Sequence, residues 1–423
     1  MFKLILIGVL WLLLPKYGYT ADKLYSKNTT PQPQQLPKVL LWDRYASPYA
    51  GASWIISTRF WFNELEDRYL LPQNAPASGL RRWVSTVYNN LANDLFMLTI
   101  HEFNGHGFRQ RSVGGQVSGY RIYPFFYILP SFFLPMNSLG AVTHFRKHKV
   151  ATIDIELLKD IAGNEANAVL AHELILANFQ TGFLDHRTYN LFFKAFTNLL
   201  GYILITTEVR TKGISLAYKG DIKNYTDHIN TKHGFEVIRL TNLKAASCLF
   251  FLNPILYTSI WSFYKYVWDG QEAFTMPRLT WDSVSYMPII RMGLTPFGLT
   301  YYLDNYLAID KQVLWISLNA GSSPFYSSYY EGLTCQTNNL WSYEAYTVDL
   351  TGSVWHQPKL QLKPNSPLVD QNYWGGLIGI TTKLQLHDRF SILATINYKT
   401  EGFLEGVVAD AALGLRAGLE LSY

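Results

Sequence analysis

The spacing of apolar residues changes once along this chain, from steps of three and four to steps of two, and the change falls near Pro277. Before it, Trp83, Val84, Val87, Leu91, Leu95 and Leu98 recur at helical intervals and predict a helix over 81–109, with Gly107, Gly114 and Gly115 as its end. Further helices are expected over 164–179, where Gly182 is the stop, and over 184–206. Beyond Pro277, Leu314, Ile316, Leu318 and Ala320 alternate with Val313, Trp315, Ser317 and Asn319, and Tyr346, Val348 and Leu350 follow the same rule. Trp374, Ile378, Ile380, Leu384 and Leu386 share one face of a long strand, His387-Asp388 makes a turn, and Phe390, Ile392, Ala394, Ile396 and Tyr398 line the strand after it. Strands of roughly ten to fourteen residues exceed those of soluble sheets and suit a tilted bilayer crossing.

Other stretches give no clean period. Residues 54–62, an aromatic patch, read as a strand, and 120–140, apolar but carrying Pro124, Pro130 and Pro135, as a loop or broken helix over or under the neighbouring helix. His144, His148 and Lys149 read as a solvated basic face, and 219–234, with Asp221, Asp227, His228 and His233, as a polar loop without metal spacing. The most membrane-like stretch is 244–268, uncharged from Ala245 to Tyr264 but broken at Asn253-Pro254.

Composition sharpens the picture. Aromatic residues make up 16% of the 423 and charged residues only 16%, against about a quarter in soluble proteins. Mean hydropathy of +0.01 is too low for a chain of membrane helices and fits strands with one face in lipid and one in water. The net charge of +5 comes without a basic run, so nucleic acid is excluded as a partner and acidic lipid headgroups are the milder option. Cys248 and Cys335 lack the spacing of a zinc ribbon or redox motif, and whether they pair is left open. Residues 1–21 have the layout of a secretory signal, with Lys3, an apolar run over 4–14 and a cleavage site after Ala21.

Residues 101–106, His101-Glu102-Phe103-Asn104-Gly105-His106, bring two imidazoles and a carboxylate together. On an α-helix a five-residue step separates the imidazoles by about 140°, too far to share a metal. A π-bulge closes that gap, and Gly105 lies where the backbone must adjust. The string resembles the HExxxH zinc motif of the dipeptidyl peptidase III metallopeptidases. Gly163-Asn164-Glu165-Ala166 resembles the string that supplies the third ligand in gluzincins. The resemblance implies zinc held by His101, His106 and Glu165, with Glu102 as general base. His172, seven residues after Glu165, lies on the same helical face and is a candidate for orienting a ligand. Read without the resemblance, the same residues also suit a buried His/Glu network.

At the other end, Arg416, Gly418, Leu421 and Tyr423 resemble the C-terminal assembly signal of bacterial outer-membrane β-barrels. The expected fold is therefore an α+β membrane protein with an antiparallel transmembrane barrel of about eight to twelve strands in its C-terminal part and an N-terminal and central α-helical domain. The boundaries are a signal peptide at 1–21, a linker with an N-terminal strand at 22–80, a helical domain at 81–276 and barrel strands at 277–423. The expectation is a protein of the bacterial outer membrane, carrying a zinc-dependent hydrolase site, with membrane lipids and the barrel-assembly machinery as partners and a peptide or envelope substrate. The alternatives are a non-catalytic barrel or channel braced by a helical plug, and a polytopic inner-membrane metalloprotease using the apolar segments at 120–140, 191–206 and 245–264.

Overall fold

The computed structural model describes residues 37–70, 79–124, 139–146, 151–206, 220–310, 312–323, 328–365 and 371–422. The signal segment, most of the linker, Pro130, Pro135, His148, Lys149 and Tyr423 lie outside the described residues.

Strand β1 (Lys38–Asp43) leads into helix α1 (Pro48–Leu65) and a π-helical turn at Glu66–Leu70. Helix α2 (Gly79–Leu98) continues through a π-helix (Thr99–His106) into α3 (Gly107–Ser112). The hairpin strands β2 (Gln116–Pro124) and β3 (Leu139–Arg146) follow, then α4 (Ile153–Phe179), β4 (Phe183–Asp185) and α5 (His186–Ile205). Next come α6 (Asp221–His233), α7 (Leu240–Ser247), a 3-10 turn (Cys248–Leu252) and α8 (Pro254–Asp269). The remaining strands are β5 (Ala273–Thr275), β6 (Leu279–Trp281), β7 (Val284–Thr295), β8 (Gly298–Ile309), β9 (Gln312–Ser323), β10 (Ser328–Asn338), β11 (Trp341–Tyr343), β12 (Tyr346–Pro358), β13 (Asn372–His387), β14 (Phe390–Lys399) and β15 (Ala412–Leu421).

Three sequence expectations change here. Residues 54–62 are helix, because Ser47 caps the first turn through its side chain and Pro48 fits the first helical position. Residues 221–233 are also helix, bounded by Gly220 and by Gly234, whose φ of 73° makes the left-handed C-cap. Residues 116–124 and 139–146 pair as a hairpin, so the described ends of 120–140, expected as a loop or broken helix, are strand.

The main sheet has eleven strands among the described residues, ordered β1-β15-β14-β13-β12-β10-β9-β8-β7-β6 with β11 beside β12, and its pairs are antiparallel. The N-terminal strand thus extends a C-terminal sheet, with Lys38 opposite Leu421 and Asp43 opposite Arg416. The alternation read from sequence separates the two faces. Leu318, Ile378, Ile380, Ile396 and Leu415 are exposed on one. Ser317, Asn319, Thr381, Thr395 and Asn397 line a cavity of about 240 Å³ on the other.

Helices α4 and α5 form the core of the helical part. Leu157, Leu158, Leu170, Leu174 and Phe179 of α4, with Leu191, Phe192 and Ile203 of α5, are fully buried. A helix apolar all round is a buried one, and α4 packs on β7, β8 and β9 as well as on its helical neighbours. Among the described residues no single helix is long and apolar enough to cross a membrane. Leu240–Leu252 and Pro254–Asp269 pass that test only together, bent by 69°.

Candidate metal centre

The chain widens where the two histidines need it to. Over Thr99–His106 the backbone is π-helical, and the Gly107 N–H donates to Glu102 O, five residues back. The wider turn brings His101 and His106 onto one side, with ring centroids 4.9 Å apart and Nε2 atoms 3.3 Å apart. Gly105 has a second reason to be glycine: a Cβ there would lie 2.6 Å from Ala162 O of α4. At Gly163 a Cβ would lie 2.3 Å from Cε1 and Nε2 of His101. The two glycines let the π-helix and α4 approach closely enough to seat the imidazole.

The third group is Asp221, the first residue of α6. Its Oδ2 lies 3.1 Å from His101 Nε2 and 3.2 Å from His106 Nε2. A tetrahedral ion with bonds of about 2.0 Å has ligand-to-ligand edges of about 3.3 Å, so this triangle is the size of one face of a zinc site. The other ring nitrogens are also placed for it. His106 Nδ1 lies 2.8 Å from Lys159 O, a carbonyl that accepts its proton and leaves Nε2 with the lone pair. His101 Nδ1 lies 3.0 Å from the Asn167 amide, whose Oδ1 is buried with no hydrogen-bond partner among the described residues. Exchanging the amide O and N gives that oxygen the Nδ1 proton and frees Nε2 of His101 in the same way.

Electrostatics agree with the geometry. Burial opposes a proton on His106, but the charge and hydrogen bond of Asp221 prevail, and its pKa is pushed up to about 10. Burial works against the Asp221 charge too, and His106 and His101 overcome it, holding the carboxyl well below the usual range. Nearby, burial pushes Asp160 up to about 6, even though His228 Nδ1 lies 2.6 Å from its Oδ2. Glu102 is buried beside His101, and the Thr143 hydroxyl of β3 donates to its carboxylate. The Tyr202 ring stacks on His101 at 5.3 Å, its hydroxyl 3.5 Å from His101 Nε2.

Glu165, expected as the third ligand, is engaged elsewhere. Its carboxylate takes a two-pronged contact from Arg109 Nε and Nη2 and a hydrogen bond from the Gly406 N–H. His172 bonds Tyr306 Oη at 2.9 Å and packs on Trp315. The reason is the helical wheel: Gly163 and Asn167 put one face of α4 against His101, and Glu165, about 200° on from Gly163, points to the opposite side. Asp221 was hidden by its polar surroundings. The signal available was the run Ile222, Tyr225, Ile229 and His233, a buried stripe at threes and fours that marks a helix. Among the described residues, His101, His106 and Asp221 are the group whose ligand atoms meet at metal-binding distance. Comparison with protein-family models, with curated proteins and with solved structures finds no match to this chain.

Proposed function

We propose that this chain is a zinc-dependent hydrolase, of metallopeptidase type, built on a β-barrel of the bacterial outer membrane. The observation that carries the hydrolase reading is the His101, His106 and Asp221 triangle, sized for a tetrahedral ion and flanked by a buried carboxylate. When bound, the metal supplies a Lewis acid that polarises a carbonyl and acidifies water. Glu102, held by Thr143, accepts the proton from the attacking water and returns it to the leaving group. The Tyr202 hydroxyl, beside His101 Nε2, is placed to donate to an oxygen that gains charge at the open side of the triangle. Support for the membrane reading is the inverted sheet, apolar on its exposed face and polar toward its cavity.

The test is zinc per chain in detergent-purified protein. Near-stoichiometric zinc is expected in the wild type and in Glu165→Gln, with loss in His106→Ala and Asp221→Ala. Glu102→Gln should keep the metal and lose about 10²- to 10⁴-fold of peptide hydrolysis. A folded wild type that binds no zinc would retire the hydrolase in favour of a non-catalytic barrel braced by its helices.

A further inference from the structure

The sheet is open among the described residues: β1 stands at one side, and at the other the short β6 covers only Val284–Tyr286 of β7, so the rest of β7 is an edge that does not pair with β1. Several of their outward backbone groups are met by side chains of the helical part. On β1, Val39 O accepts from the Ser53 and Ser57 hydroxyls at 2.6 Å each, and Leu41 O accepts from Trp54 Nε1 at 2.8 Å, all three donors on α1. On β7, the Asn253 side chain, at the break before α8, pairs with both the N–H and the C=O of Ile290 at 2.8 Å. A side-chain amide there does what a neighbouring strand would do.

Between those two sides the helices are joined in turn. Arg59 of α1 reaches Asn89 and Asn93 of α2 at 2.5 and 3.2 Å. Arg82 of α2 donates to Val267 O and Trp268 O of α8 at 2.9 Å each. Side-chain contacts therefore link β1, α1, α2, α8 and, through Asn253, β7 in turn.

The outer faces of this seam carry apolar side chains. On α2 most of the buried residues before Met97 are polar, Asn93 and Asp94 being 0% exposed, while Val84 is 62% and Leu95 46% exposed. On α8, Ser259 and Ser262 are buried along with Ile255, Leu256, Tyr266 and Val267, and Ile260 and Trp261 are about half exposed, so this helix is apolar on both faces. A helix at a water-facing surface turns polar groups outward. This polarity matches that of the sheet, whose exposed face carries Ile378 at 66%. Near its C-terminus α8 carries stacked Trp261, Tyr264 and Trp268 beside Lys265, the composition of a membrane interface.

We propose that α1, α2 and α8 complete the wall of the barrel and that their outer faces lie against lipid acyl chains. The proposal rests on the membrane reading above and goes beyond it, since a strand-only barrel would leave these helices in water. Lipid is the occupant because the outward faces are apolar and a dry bilayer requires backbone groups at a sheet side to be paired, as they are at Val39, Leu41 and Ile290.

The experiment is nitroxide labelling of the full chain in liposomes, in a Cys248→Ser/Cys335→Ser background. Labels at Val84→Cys and Ile260→Cys are compared with Ile378→Cys for collision with oxygen, enriched in lipid, and with a water-soluble nickel chelate. The expected result is loss of chelate collisions at both helix sites down to the Ile378 level, with oxygen collisions retained. Chelate access at Val84 and Ile260 but not at Ile378 overturns the helical wall and spares the membrane-borne sheet. Chelate access at all three overturns the membrane reading itself. Shielding of the helix sites from both reagents overturns lipid as the occupant and points to a second copy of the chain. Should either variant fail to fold, Leu95→Cys and Tyr257→Cys test the same two faces.

Discussion

At the scale of single residues, the proton on His106 governs the metal site. In the metal-free protein Asp221 keeps that proton in place up to a pKa of about 10, against an ordinary value of 6.5. The stability His106 gains from this pairing is fully present below pH 6.5 and is lost as the pH rises toward 10. The Asp221 contribution has the opposite sense: it is present above the ordinary value of 3.8 and lost as pH falls through its depressed pKa. A metal ion must displace the His106 proton to use Nε2. Zinc affinity is therefore expected to rise about tenfold per pH unit between pH 6.5 and 8, with proton release measurable by calorimetry in buffers of different ionisation enthalpy. A pH-independent affinity would show that His106 is not a ligand.

At the scale of elements, the close approach of the π-helix to α4 is what seats His101, and Gly163 is its contact point. Gly163→Ala places a methyl 2.3 Å from Cε1 and Nε2 of His101, so the imidazole must leave its seat or the two helices must part. Zinc binding should be lost while the long strands keep their circular-dichroism signature, and wild-type zinc content in the variant would show that the approach is dispensable. The π-helix was legible in the sequence because the His101 to His106 spacing can share a metal only if the helix widens, a local constraint. The strands were legible for a similar reason: a period of two shows whichever face meets water. Asp221 was not, because a ligand arriving on a separate helix is set by tertiary docking and leaves no local string. Glu165 offered such a string, yet its rotation about α4 turned it to Arg109. Residues 54–62 hid their helix because α1 is apolar on its outer side at Trp54, Trp61 and Leu65 as well as on its inner side, which erases the amphipathic period.

At the scale of the whole molecule, Arg109 and Glu165 tie the helices to the sheet. Both are buried, one on α3 and the other on α4. Each also reaches the segment between β14 and β15: Arg109 Nη1 donates to Val407 O at 2.5 Å, and Glu165 accepts from the Gly406 N–H. That segment lines the cavity on the polar face of the sheet with Phe403, Leu404 and Glu405, and Arg291 of β7 holds Glu405 at 2.8 Å. Losing one partner of the Arg109–Glu165 pair leaves a buried charge uncompensated, which costs about 3–5 kcal/mol, while replacing both by apolar residues is often close to neutral. Arg109→Met and Glu165→Leu should therefore each lower the urea midpoint of the detergent-solubilised protein, and the double variant should recover much of the loss. If the double loss equals the sum of the two single losses, the residues act independently. Because Arg109 and Glu165 lie outside the metal triangle, zinc binding by the folded fraction should survive in all three variants, separating the clamp that joins helices to sheet from the centre that one of those helices helps to build.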